Sequence, residues 1–362
     1  MILPLLLAAA QAAPVATPPA APAVAQTHWP SKEGDFVIRD FTFRSGEKLA
    51  ELKLHYTTLG TPHRNAKGEI DNAVMVLHGT GGTGKQFFQP QFADELYGPG
   101  QPLDITRYFI ILPDNIGHGG SSKPSNGLRM AFPHYDYDDM VEAQHRLLTE
   151  HFGIRRMRLI MGTSMGCMHA FVWAETYPDY ARALMPLACE PVQIAGLNRM
   201  WRQMAIDAIE SDPAWDKGNY TAQPANGVRG AASIQFIAGA APINLQAAYP
   251  TRDAAVAYMR QKLSATIAGI DANDLIYQLD SSRSYDPWPK LETIRAPMTW
   301  INSADDFINP RNLDFPARAV KKMPNTRFRL IAETDDTHGH GTHTWAKFWK
   351  QDLIDLLART AP

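Results

Sequence analysis

The feature that most constrains this chain is a tight turn between a strand and a helix. An apolar run suited to a buried strand, Met157 to Met161, leads directly into Gly162-Thr163-Ser164-Met165-Gly166. Met168, Phe171 and Val172 then recur at helical spacing as far as Tyr177-Pro178. Strand, Gly-x-Ser-x-Gly and helix in that order describe a turn that presents a serine nucleophile. The central residue is held in a strained backbone conformation, and side chains two positions to either side would collide, so glycines flank it. Ser164 is expected at the C-terminal edge of a sheet, beside a helix N-terminus whose amides favour developing negative charge. The alternative is a turn of small residues with no chemistry.

The rest of the chain supplies the sheet. Phe36 to Phe43 and Leu52 to Leu59 alternate as antiparallel strands do, around a Ser45-Gly46-Glu47 turn. Continuous apolar runs at residues 72–77, 107–112, 183–188, 297–301 and 327–331 read as buried, mainly parallel strands. Helical patterns lie between them, including one through Met140, Val141, Leu147 and Leu148, one running to Lys322 and a last one from about Trp345 to Leu357. Strands alternating with helices imply a mostly parallel α/β sheet covered on both faces. Residues 191–289 break the rhythm. With helical patterns around 198–210 and 252–278, they read as a helical lid inserted between core segments 35–190 and 290–362. The lid's Trp201, Met204, Trp215, Phe236, Tyr258 and Met259 either line an apolar acyl pocket or form the lid's own core.

A serine hydroxyl needs a base, normally histidine, oriented by a carboxylate, and on such a sheet the order is Ser, Asp or Glu, His. Asp306 follows the strand at 297–301 and lies four residues before Pro310, so it is the candidate acid, with Asp305 in reserve. After the last strand stand His338, His340 and His343. Three histidines so close together could also bind metal, but no second ligand cluster accompanies them. His340, between two glycines, is the candidate base. The oxyanion amides are assigned to Met165 and to Thr80, in the loop His78-Gly79-Thr80 after the strand at 72–77. A competing pattern, Gly79-x-x-x-x-Gly84-Lys85, matches a phosphate-binding loop until Gln86 takes the place of its magnesium-binding hydroxyl.

On these residues the region from about 35 onward resembles the α/β-hydrolases, and more narrowly their homoserine O-acetyltransferase branch. The narrower likeness rests on residues 97–110 (Tyr97-Gly98-Pro99-Gly100 to Ile110), Phe132-Pro133 with Asp139-Met140-Val141 and Ala143-Gln144, Ser164-Met165-Gly166, and Ala208-Ile209-Glu210-Ser211-Asp212-Pro213. The resemblance implies an α/β-hydrolase fold, a Ser164–Asp306–His340 triad, an acyl-serine intermediate and acyl passage to an acceptor under the lid. It also has departures. Thr163 and Cys167 stand where the branch usually has glycine, and Gly341 stands where the transferases carry an aspartate for the amine of homoserine. Without that counter-ion a charged amino-acid acceptor binds poorly, and water is the expected acceptor. An ester-type small-molecule substrate is expected, with no cofactor and no metal; a homodimer is an open option.

A formal charge of -2 over 362 residues carries no footprint for nucleic acid. Beyond the N-terminus there is no apolar run of about 18 residues, so no membrane span is expected in the mature chain. Residues 1–12 read as an export signal with a small-x-small site at Ala10-Gln11-Ala12, and 13–34 as an Ala/Pro-rich linker. The implied location is periplasmic or secreted, with an uncleaved tether or a cytoplasmic protein as alternatives. Cys167 and Cys189, the only two cysteines, read as buried free thiols.

Overall fold

A computed structural model describes residues 28–361. The expected signal at 1–12 and most of the expected linker lie outside them. A hairpin opens the fold: β1 (Ser31–Thr42) pairs antiparallel with β2 (Lys48–Leu59), and Gly46 at the turn takes a φ of 86°. Strand β1 starts at Ser31, inside the stretch read as linker. Then follow β3 (Ala73–Leu77), α1 (Pro90–Leu96), β4 (Phe109–Pro113), α2 (Tyr137–Arg146), β5 (Leu159–Thr163), α3 (Met165–Thr176) and β6 (Leu184–Leu187). After residues 191–289 the order resumes with β7 (Met298–Ser303), a short α9 (Phe315–Ala319), β8 (Thr326–Ile331) and α10 (Lys350–Arg359).

The strands form one sheet in the order β1-β2-β4-β3-β5-β6-β7-β8, antiparallel over its first pairings and parallel from β4 to β8. Strand β3 shows why its residues are apolar throughout. Val74 and Val76 pack on the side of Trp349 and Leu356, while Met75 and Leu77 pack on the side of Phe171 and Trp173. With period-2 side chains and helices on both faces, neither set meets water.

The segment between β6 and β7 carries five helices: α4 (Gly196–Glu210), α5 (Ala225–Gly239), α6 (Pro242–Ala248), α7 (Arg252–Ile267) and α8 (Ala272–Asp280). It has its own core of Trp201, Ala205, Ile209, Val228, Leu275 and Leu279. The pattern at 252–278 is two helices, because the chain leaves α7 at Gly269 and restarts where the Asp271 carboxylate caps the amide of Asp274. The helix expected to reach Lys322 is only α9, which Asp314, at a left-handed φ of 54°, separates from the turn at Arg311–Leu313 and which ends at its C-cap Val320.

One expectation is corrected. Cys167, in the first turn of α3, and Cys189, just past β6, form a disulfide, with Cα atoms 5.8 Å apart. The β5–α3–β6 crossover returns the chain beside its starting strand, which two residues 22 apart in sequence do not reveal. Native protein should therefore carry no titratable thiol until reduced. Replacing both cysteines by serine should cost roughly 3 kcal/mol in urea unfolding; free thiols in the oxidised protein would contradict the pairing.

Candidate active site

Because β3 and β5 to β8 run parallel, the segments that follow them emerge along one edge of the sheet. The turn after β5 places Ser164 at φ 54° and ψ −112°, a strained conformation for a residue with a side chain. The flanking glycines are sterically required. A Cβ on Gly162 would lie 2.1 Å from the carbonyl oxygen of Gly166, and one on Gly166 would lie 2.1 Å from that of Leu77.

Ser164, His340 and Asp306 converge. Ser164 Oγ donates to His340 Nε2 over 2.7 Å, and His340 Nδ1 donates to Asp306 Oδ2 over 2.8 Å. The network fixes this tautomer, since the buried carboxylate can only accept. Burial alone would raise the Asp306 carboxyl, but the His340 imidazole, the Asn309 amide at 2.8 Å and the Ile308 N–H at 2.8 Å hold it below its ordinary value.

The neighbours have other tasks. Asp305 accepts from the Gly339 amide at 2.8 Å and so braces the loop that carries His340. His338 stacks on Trp345 with ring centroids 4.1 Å apart. His343 is partly buried against the backbone of His340; desolvation, then the His340 ring, push it down to about 3. Each of the three histidines takes a different partner.

The loop after β3 passes against the serine, with a Cβ on Gly79 falling 3.2 Å from Ser164 Cβ. Two groups hold it. His78 Nδ1 donates to the Gly79 carbonyl at 2.9 Å while its Nε2 accepts the Asn115 amide at 3.0 Å. Gln86 gives its Nε2 to Thr163 Oγ1 at 3.0 Å. Among the described residues, the amides of Thr80 and Met165 find no acceptor. The phosphate-loop pattern is not used as such: the Gly84 amide donates to Asp114 at 2.8 Å and Lys85 pairs with Glu33 at 3.1 Å.

A cavity of about 490 Å³ opens on Ser164 and His340, lined by Met168, Val192, Trp201 and Phe307 among others. Of the six lid residues singled out from the sequence, only Trp201 lines it. Trp215 bonds to Asn273 and Phe236 packs on Tyr258 within the lid, and Met204 is exposed. Two ionisable residues of the cavity were missed. Arg202 is buried on α4, its Nε donating to Asn198 at 3.0 Å and its Nη1 unpartnered. Glu190, beyond β6, leaves its buried Oε2 without a partner. The signal for Arg202 was a charge on the helix face that carries Ala205, Ile206 and Ile209. For Glu190 it was a carboxyl placed just after an apolar strand.

Residues 72–336 match the family model of the alpha/beta hydrolase fold, about three-quarters of the chain. The chain is an α/β-hydrolase. Within the family it is similar to the homoserine O-acetyltransferase branch. A probable acyltransferase of Methanothermobacter thermautotrophicus is 32% identical over 77% of this chain and 84% of its own length. A homoserine O-acetyltransferase of Geotalea daltonii is 29% identical over 83% and 90%. An acetylester hydrolase of Corynebacterium glutamicum superposes with a TM-score of 0.79 at 22% identity, covering 90% and 96% of the two chains, a likeness of fold.

Alanine at Gly162 or Gly166 should cost several kcal/mol, since the atoms met are backbone and cannot swing aside. Alanine at Gly46, where space is open, should cost about 1 kcal/mol. Urea midpoints compare the three; equal losses would refute the crowding.

Proposed function

We propose that this chain hydrolyses esters through an acyl-serine intermediate, with Ser164 as nucleophile, His340 as base and Asp306 as the group that orients it. The observation that carries this reading is the unbroken hydrogen-bond chain Ser164–His340–Asp306 at the mouth of a cavity. Serine Oγ attacks the acyl carbonyl as His340 Nε2 takes its proton, and the imidazolium is stabilised by the buried Asp306. The oxyanion forms against the free amides of Thr80 and Met165. Collapse expels the alcohol, which receives the proton from His340. Water then repeats the sequence on the acyl-enzyme. Exposed Leu197, Phe307 and Leu313 border the cavity and suit a substrate with an apolar part.

A second reading, acyl transfer to an amino- or hydroxy-acid, is favoured by one observation. Arg202 is a buried guanidinium in the cavity with no carboxylate within 4.0 Å among the described residues, and a carboxylate on a ligand would answer it. Against it stands Gly341 in the place of the transferases' aspartate. Export from the cytoplasm is part of the proposal. The Cys167–Cys189 disulfide supports it, since oxidising compartments keep such bonds. Among the described residues no helix is long and apolar enough to cross a membrane.

Ser164→Ala should fold normally and lower kcat on p-nitrophenyl acetate by about 10⁴-fold or more; turnover near wild type would end the assignment. Added L-homoserine should leave acyl-enzyme breakdown unchanged. If it accelerates breakdown with an O-acyl product, and Arg202→Leu abolishes the acceleration, transfer replaces hydrolysis as the reading.

A further inference from the structure

Glu190 is an ionisable group of the cavity to which neither reading above gives a task. It follows β6 by three residues, between the turn that carries Ser164 and the loop that carries Asp306, and it lines the same cavity as Ser164 and His340. Its backbone is tied in place: the Tyr285 hydroxyl donates to its carbonyl at 3.2 Å, and Asn309 Nδ2 donates to the carbonyl of Ala188 at 3.1 Å. The side chain is half satisfied. Oε1 accepts from Asn302 Nδ2 at 2.9 Å, whereas Oε2 is buried and has no partner.

The hydrogen-bond pattern locates the proton. Asn302 cannot be turned over, because its Oδ1 accepts the Cys189 amide and its Nδ2 donates to the Cys189 carbonyl, both at 3.2 Å. Glu190 Oε1 is therefore an acceptor, and a proton on this carboxyl must sit on Oε2. Asp306 is the nearby acid, and it is held ionised by four donors: the Ile308 and Asn309 amides, Asn309 Nδ2 and His340 Nδ1. A second negative charge beside it is unfavourable. Burial, and then the Asp306 charge, push the Glu190 carboxyl up to about 9, against a smaller opposing effect of the Asn302 bond. Among the described residues no cation lies within 4.0 Å to offset them. Glu190 also lines a second cavity, which Arg311 borders, and Tyr285 bonds to its carbonyl. At neutral pH, Oε2–H is thus a buried donor with nothing to receive its hydrogen bond, carried by a residue that lines the cavity of Ser164. A buried donor without an acceptor is costly, and a ligand that brings the acceptor recovers that cost on binding.

We propose that Glu190 is a specificity-determining residue whose Oε2 binds an uncharged oxygen of the substrate, an ether, hydroxyl or carbonyl oxygen placed away from the scissile ester, so that the site selects oxygenated esters over plain alkyl ones. The inference rests on the esterase reading. It assigns Glu190 no part in proton transfer to the reacting atoms.

Two isosteric pairs of probes test it, one for each side of the ester: p-nitrophenyl methoxyacetate against p-nitrophenyl butyrate, and 2-methoxyethyl acetate against butyl acetate. In each pair an ether oxygen replaces one methylene. The quantity read is the kcat/KM ratio of oxygenated to alkyl probe, in wild type, Glu190→Gln and Glu190→Leu, which removes intrinsic reactivity from the comparison. In Glu190→Leu the ratio should fall about tenfold for one of the two pairs, through KM rather than kcat. Glu190→Gln, whose amide N–H can replace the Oε2–H donor, should stay within about twofold of wild type. Equal rates of Ser164 labelling by a fluorophosphonate establish that each variant keeps its site; if Glu190→Leu does not fold, Glu190→Met takes its place. Ratios unchanged by the apolar substitution in both pairs overturn the proposal, and so does a Gln variant that behaves like the Leu one. Absence of turnover of all four probes in the wild type overturns the esterase reading itself, which is a different result from normal turnover with constant ratios.

Discussion

The site depends on a place where three stretches of backbone come too close for side chains. Gly162 meets Gly166 across the turn, and Gly166 in turn meets Leu77 at the end of β3. That contact lets α3 start immediately after β5, and it puts Ser164 at the apex in a conformation that no neighbouring residue could relieve. It also presses the turn against the loop after β3, where a Cβ on Gly79 would fall 3.2 Å from Ser164 Cβ. The strain at Ser164 is offset by the burial of α3, which is apolar around most of its circumference.

The two departures from the glycine-rich turn of the transferase branch gain physical meaning from their partners. Thr163 supplies the hydroxyl that Gln86 donates to, and Gln86 is the residue that spoils the phosphate-loop pattern. One side chain thus explains two anomalies: the loop at Gly79–Gln86 is a clasp between the end of β3 and the end of β5, next to Ser164. Cys167 is joined to Cys189, and this bond ties the first turn of α3 to the cavity wall that continues into Glu190. Side chains that replace glycine here do so where a bond to a neighbouring segment is available.

Much of this was legible in the sequence, for a definable reason. A strand buried on both faces must be apolar throughout, so β3, β4, β5 and β6 announce themselves, and the topology of parallel strands carries their following loops to a common edge. Asp306 and His340, 34 residues apart, and His340 and Ser164, 176 apart, meet there without any local signal beyond their order. What remained hidden depends on geometry between loops. The disulfide requires knowing that the start of α3 faces the end of β6. The break at Gly269 and the left-handed Asp314 are backbone decisions within otherwise helical patterns. The lid aromatics were ambiguous because a helix that packs on other helices and one that lines a cavity share the same apolar period; only Trp201 faces the cavity.

The charges of the cavity belong to opposite problems. Arg202 is a cation without a counter-ion, and Glu190 is an acid that cannot share its edge of the sheet with a second ionised carboxylate. Each sits at a cost that an apolar side chain of similar size would avoid. Asp306 shows the contrast, since four donors make its burial favourable and its charge useful to His340. A cavity meant only for an alkyl chain would not keep three buried polar atoms without partners, Arg202 Nη1, Glu190 Oε2 and Trp201 Nε1, beside Met168 and Val192. The proposed ester would be apolar where it meets Leu197 and Phe307, and polar where it reaches Arg202 and Glu190.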